Sequence, residues 1–188
     1  MIMIRHGQSE FNVLYAKTRQ DPLIRDPHIT ELGKRQAAEA VTHLKEFRLK
    51  RIISSPYSRT LQTASIIADA LTLPISVDAQ VGEIAASVGE VGSPVSHLSK
   101  TFHHVDFGDL PETWWPEAEE PDHLHARAQG FREKIRAIED WSEVLVVTHW
   151  GFIRSMTGHD MANCGIVRLD PHADHPGGGE VVAGPLSC

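Results

Sequence analysis

Three short apolar runs constrain this chain more than any other feature: residues 2–4 ("IMI"), 51–54 ("RIIS") and 144–148 ("VLVVT"). They are rich in Ile and Val and do not alternate apolar with polar residues. A strand with one face in water alternates, so these runs suit parallel strands covered on both faces. Weaker candidates are residues 75–77, after Pro74, and 165–169 ("GIVRL"). Between the runs the apolar period becomes helical. Thr30 can cap a helix whose apolar face includes Ala37, Val41 and Leu44. A second helix, from about residue 59 to 71, carries Leu61, Ala64, Ile67, Ala68 and Leu71 on one side. The clearest is residues 122–138, where Leu124, Ala128, Phe131, Ile135 and Ile138 are spaced by four and three. A shorter helix follows Gly151 and ends at Gly158. Strands alternating with helices predict an α/β fold: a three-layer sandwich, with a largely parallel sheet and helices on both faces.

The chain has 188 residues, enough for one domain that buries roughly 70% of its unfolded surface. No internal repeat or long Ser/Gly linker divides it, so residues 1–188 are expected to form that single domain. Periodicity breaks down over about 83–121, a stretch rich in Gly, Pro and His. It reads as an insertion or cap with one short helix near 94–103, ending in the Trp114–Trp115 pair. The acidic, His-rich tail from about Asp170 ("DPHADHPGGGE") reads as a mobile loop.

The net charge of −7 lacks the basic footprint of a nucleic-acid binder, though it leaves room for a local positive pocket. No apolar run approaches the ~20 residues of a membrane span, and no targeting peptide precedes the first strand. Cys164 and Cys188 suggest neither a disulfide framework nor a metal knuckle. A reducing cytoplasm is the expected setting. Neither nucleic acid nor membrane is expected as a partner, and the sequence leaves the oligomeric state open.

The three strong runs share an ending. The first stops at Arg5-His6-Gly7, the second at Ser54-Ser55-Pro56 with Arg59 opening the next helix, and the third at His149-Trp150-Gly151. Open parallel sheets bind ligands outside the carboxyl ends of their strands. Two arginines and two histidines should therefore converge on one edge. Paired guanidinium groups form a fork for a phosphate or carboxylate. They also disfavour protonation of a nearby imidazole, leaving His6 neutral and nucleophilic. Gly7 lets the backbone approach closely and offers a carbonyl to one ring nitrogen, so that the other can face the ligand.

"RHGQSEFN", "SSPYSRTLQTA" and "VVTHWGFIR" together resemble the three signature segments of the histidine phosphatase superfamily, which includes the cofactor-dependent phosphoglycerate mutases. The resemblance spans residue 1 to about 169, and "HITELGKRQA" also fits it. It implies that His6 is the nucleophile and forms a phosphohistidine that water hydrolyses. It implies too that Arg5, Arg59 and His149 bind the transferred phosphoryl group, with His149 counted among the catalytic residues and Asn12 at the pocket edge. An acidic residue after the fourth strand would protonate the leaving oxygen. Glu83 fits best, but the segment "GEIAASVGEVGSP" departs from the family's pattern and leaves Glu90 as a rival.

The expected activity is metal-independent phosphomonoester hydrolysis, without a cofactor, on a phosphorylated small molecule. A phosphoglycerate mutase-like phosphotransferase is the alternative. It needs a water-excluding lid, for which residues 83–121 are the one candidate. A non-catalytic phospho-ligand sensor and a metal-buffering protein are the competitors from other classes. His103-His104 and His123/His125 offer no closed tetrahedral set, and two arginines would repel a cation from the main site. Trp114 and Trp115 read as cap packing and Arg127 as a scaffold ion pair. Arg19 and Arg25 are candidates for a second anionic group or for simple solvated charges. Asn12 could equally serve to cap a turn.

Overall fold

In the structure, a computed structural model that describes residues 1–183, seven strands form one mixed sheet. They are β1 (Ile2–Arg5), β2 (Arg51–Ser54), β3 (Ile75–Val77), β4 (Val105–Asp106), β5 (Val144–Thr148), β6 (Ile166–Leu169) and β7 (Gly179–Ala183). Their order is β4-β3-β2-β5-β1-β6-β7. The first five positions in that order are mutually parallel, while β6 runs antiparallel to β1 and β7 antiparallel to β6. The helices are α1 (Glu10–Thr18), α2 (Glu31–Leu44), α3 (Ser58–Leu71), α4 (Val95–Thr101), α5 (Pro121–Arg136) and α6 (Trp150–Thr157).

Strand pleating sends alternate residues to opposite faces, and both faces are covered. Ile2, Ile4, Ile52, Leu145 and Val147 pack with Ala37, Val41, Leu44, Leu61 and Ile67 of α2 and α3. Met1, Met3, Ile53, Val144 and Val146 pack with Phe131, Ile135, Phe152 and Met156 of α5 and α6. Phe131 and Phe152 meet edge to face at 5.7 Å, worth about 0.5–1.5 kcal/mol beyond burial. The sandwich is therefore the predicted one, and it explains why the strong runs did not alternate. Among the described residues no helix is long and apolar enough to cross a membrane.

Differences lie at the margins. The run at 165–169 is a strand, but an antiparallel one. The expected loop after Asp170 returns instead as β7, pairing with β6 from Ile166↔Ala183 to Leu169↔Gly179. Buried Arg132 organises that return, donating to the carbonyls of Met156, Asp170, Pro171 and Gly177. A single guanidinium can satisfy several carbonyls because it carries five donors. Cys188 and the end of the tail lie outside the described residues. Helix α1 was not anticipated from periodicity, for it buries no residue. Within 83–121 the expected short helix is α4, and Trp114 packs edge to face on Tyr57 at 4.6 Å.

Candidate active site

Register places the site. Arg5 of β1 pairs with Thr148 of β5, and Ser54 of β2 pairs with Val147. The three central strands thus end nearly flush, and the residues just beyond them, His6, His149 and Ser55, emerge at one edge. The His6 amide donates to the Thr148 carbonyl at 2.9 Å, which closes the gap between the first two. Gly7 is required sterically: a Cβ there would lie 2.4 Å from the Gly33 carbonyl oxygen at the start of α2.

A carbonyl can only accept, so the 2.8 Å contact between His6 Nδ1 and the Gly7 carbonyl makes Nδ1 the protonated nitrogen. Nε2 then keeps its lone pair. His6 is 3% exposed and His149 fully buried, with ring centroids 5.3 Å apart at 63°. Burial holds the His6 pKa well below the ordinary imidazole value, and Arg59 and then Arg5 push the same way against the Gly7 hydrogen bond. Burial likewise depresses His149, reinforced first by Arg59. His149 Nε2 lies 2.8 Å from Ser55 Oγ.

The two arginines are anchored at their edges. Arg5 Nη1 donates to the Met161 carbonyl at 2.8 Å. Arg59, in the first turn of α3 and 3% exposed, lies over the Tyr57 ring at 4.5 Å and donates to the Gly89 carbonyl. That first turn is itself held by Asp26, whose carboxylate accepts from both the amide and the hydroxyl of Ser58.

Asn12 does both things weighed for it. It closes the capping box of α1 with Ser9, and it also lines the pocket. Its Oδ1 accepts from the Ser9 amide and from Asn163 Nδ2, which donates as well to the His6 carbonyl. Glu83 lies where the cap leaves the sheet edge. Its carboxylate accepts from the Gly151 amide at 3.1 Å, in the first turn of α6, and a Cβ on Gly151 would strike it at 2.3 Å. Glu90 is committed differently. It pairs with Arg59 Nη2 at 3.4 Å and accepts from Ser87 Oγ, and burial raises its pKa.

Arg5, His6, Asn12, Arg59, Glu83 and Glu90 all line one pocket of about 650 Å³, and buried His149 lies beneath it against the His6 ring. The family model of the histidine phosphatase superfamily (branch 1) matches residues 1–174. The chain belongs to this superfamily. A Proteus mirabilis (strain HI4320) relative named probable phosphoglycerate mutase GpmB is 28% identical over 149 residues, covering 78% of this chain and 67% of the relative. A mycobacterial glucosyl-3-phosphoglycerate phosphatase, solved in complex with VO3, has a similar fold. Its TM-score is 0.62, at 22% identity over 90% of each chain. So has the ecdysone phosphate phosphatase from Bombix mori in complex with tungstate, with TM-score 0.62, 16% identity and coverage of 100% of this chain and 93% of that one.

Against the histidine phosphatase background, the remaining candidates sort themselves out. Arg25 donates to the Gly92 carbonyl and lies 5.4 Å from the Trp115 ring, a scaffold role, while Arg19 lines the pocket. Arg127 forms the expected ion pair, with Glu119, and also donates to the carbonyls of Gln80 and Gly82 just ahead of Glu83. His103, His104, His123 and His125 are exposed. Among the described residues no three His, Cys, Asp or Glu side chains are grouped to hold a metal ion. Ser9, Ser55, Asp26 and Asn163 were missed. The Ser9–Asn12 spacing was the one available signal, being that of a capping box.

Proposed function

We propose that the chain is a metal-independent phosphomonoester hydrolase working through a phosphohistidine at His6. The observation carrying this is the Nδ1 contact to the Gly7 carbonyl at 2.8 Å, which leaves the lone pair on Nε2 of a buried ring that lines the pocket. Nε2 attacks phosphorus, the bond to the leaving oxygen breaks, and Glu83 gives that oxygen its proton. Water then attacks the phosphohistidine, loses a proton to Glu83, and the N–P bond breaks to release inorganic phosphate. Arg5, Arg59, Asn12 and His149 hold the phosphoryl oxygens as their charge is redistributed. The names of the two fold neighbours, both phosphatases, support hydrolysis. The name of the Proteus mirabilis relative favours phosphoryl transfer as a second reading. An open mouth lined by exposed Tyr15 and Trp150 admits the water that a transferase must exclude.

Rapid quenching during turnover of a phosphomonoester tests the proposal. An acid-labile, base-stable phosphoryl adduct is expected on the wild type and not on His6→Ala. An adduct that persists in His6→Ala would assign the nucleophile elsewhere. Exhaustive dialysis against EDTA is expected to leave turnover intact, and a requirement for added zinc or magnesium would overturn the metal-free mechanism.

A further inference from the structure

The outer half of the pocket is chemically unlike its floor. Phe11 and Tyr15, four residues apart on α1, stack with centroids 5.6 Å apart and planes within 14°. Phe11 is fixed from behind, since a Cβ on Gly89 would touch its ring at 3.0 Å. Ile84, Ala86 and Trp150 also line the pocket, and the Arg154 guanidinium lies 5.1 Å from the Trp150 ring. Yet Tyr15 remains 41% exposed and Trp150 37% exposed. Aromatic rings are normally buried, and two left open on one pocket are available to a ligand.

Of the polar side chains nearby, Asp21, Ser87 and Ser9 are engaged within the protein, while the Arg19 guanidinium lies 6.0 Å from the Tyr15 ring. Asp21 accepts from the amides of Leu23 and Val88. Ser87 donates to Glu90, and Ser9 is bound within the capping box. A flat apolar leaving group would lose little hydration on entering and gain contact with the rings.

We propose that the leaving group this site accepts is a flat, largely apolar aromatic body, held between the Phe11–Tyr15 stack and Trp150. This specificity rests on the phosphomonoester reading of the same site. A volume of about 650 Å³ lies in the range of small-molecule pockets, about 300–1,000 Å³, so the substrate is a small aromatic phosphomonoester.

The test separates binding from turnover. Calorimetry would compare naphthylmethylphosphonate with 3,4-dihydroxybutylphosphonate, neither of which can be hydrolysed. The aromatic phosphonate is expected to bind at least 10-fold more tightly. Tyr15→Ala and Trp150→Ala should each weaken it roughly 3–10-fold, the scale of one aromatic contact, without changing the affinity for inorganic phosphate. Both positions are exposed, so neither change removes core. Leu14→Ala, on the same helix but outside the pocket, is the control and should change nothing. Equal or tighter binding of the dihydroxy compound, or insensitivity to both aromatic replacements, would overturn the proposal. Turnover is then read with naphthylmethyl phosphate and glycerol 3-phosphate, both esters of primary alcohols. Failure of both to turn over, with the binding preference intact, would count against hydrolysis and leave the aromatic specificity standing.

Discussion

Arg5, His6, Arg59 and His149 form the floor of the pocket, while Glu83, Phe11, Tyr15 and Trp150 stand around its mouth. Floor residues come directly from strand ends and the first turn of α3, and their main chains are tied into the sheet or into capped turns. Mouth residues belong to α1, which buries nothing, to the cap segment, and to the first turn of α6. The floor cannot shift without disturbing register across three strands. The mouth can vary in residue type at little cost to the core, which is how one scaffold serves different substrates.

Glu83 is where this division should break down most visibly, because it stands at the mouth by position and, in the proposed mechanism, supplies the proton for the leaving oxygen. Glu83→Gln is expected to lower kcat for an alkyl phosphate by roughly 10²–10⁴-fold, the range for general acid catalysis. With a nitrophenyl phosphate, whose leaving group scarcely needs a proton, the loss should shrink sharply. Glu90→Gln should show no such leaving-group dependence, because that carboxylate pairs with Arg59. A leaving-group-dependent loss in Glu90→Gln and none in Glu83→Gln would reverse the assignment.

Arg59 sharpens the comparison from the floor side. Removing one preorganised donor of this kind should cost roughly 10²–10³-fold in kcat, so Arg59→Ala is expected to fall in that range. Arg59→Lys should recover part of it, since lysine supplies charge without the planar fork. Full recovery would show that a point charge suffices and that stacking over Tyr57 at 4.5 Å does not matter to the reaction.

The same division explains what was legible in the sequence. Buried parallel strands must be apolar on both faces, and the residues immediately after each strand must sit at the carboxyl edge. Arg5, His6, Arg59 and His149 could therefore be read from punctuation alone. Residues 165–169 were visible as a strand, but apolar content does not state direction, and β6 proved antiparallel. Helix α1 was invisible for the opposite reason: Phe11 and Tyr15 face a pocket, so they leave no core-facing stripe. The tail misled because Gly, His and Asp read as a loop, while its fold depends on Arg132, a residue nearly forty positions earlier whose carbonyl partners no local pattern announces. Glu83 was narrowed to two carboxylates but not one, because the choice turns on contacts to Gly151 and Arg59 made across the fold.

The smallest expected effect is a shift along the pH axis, and it tests whether the floor acts as one electrostatic unit. Burial is the first cause of the depressed His6 pKa, with Arg59 next and then Arg5. The imidazole should therefore stay neutral well below pH ~6.5, the ordinary value, and lose its nucleophilic lone pair as pH falls through its depressed pKa. Rate profiles would mix this with the substrate's own ionisation near pH 6, so the direct measurement is the His6 ring resonance by NMR. In Arg59→Gln one of the depressing charges is gone while burial remains, so the midpoint should move upward without reaching the value of a free imidazole. Stability carries the same sign. Below pH ~6.5 the unfolded chain binds protons that folded His6 and His149 refuse, so stability is fully present above that pH and is lost as pH falls. The slope is up to about 1.4 kcal/mol per pH unit for each histidine. Urea unfolding between pH 7 and 5 should show a shallower decline in His149→Asn than in the wild type. An unshifted His6 midpoint in Arg59→Gln would mean that the Arg59 charge does not reach the imidazole and that burial dominates its protonation.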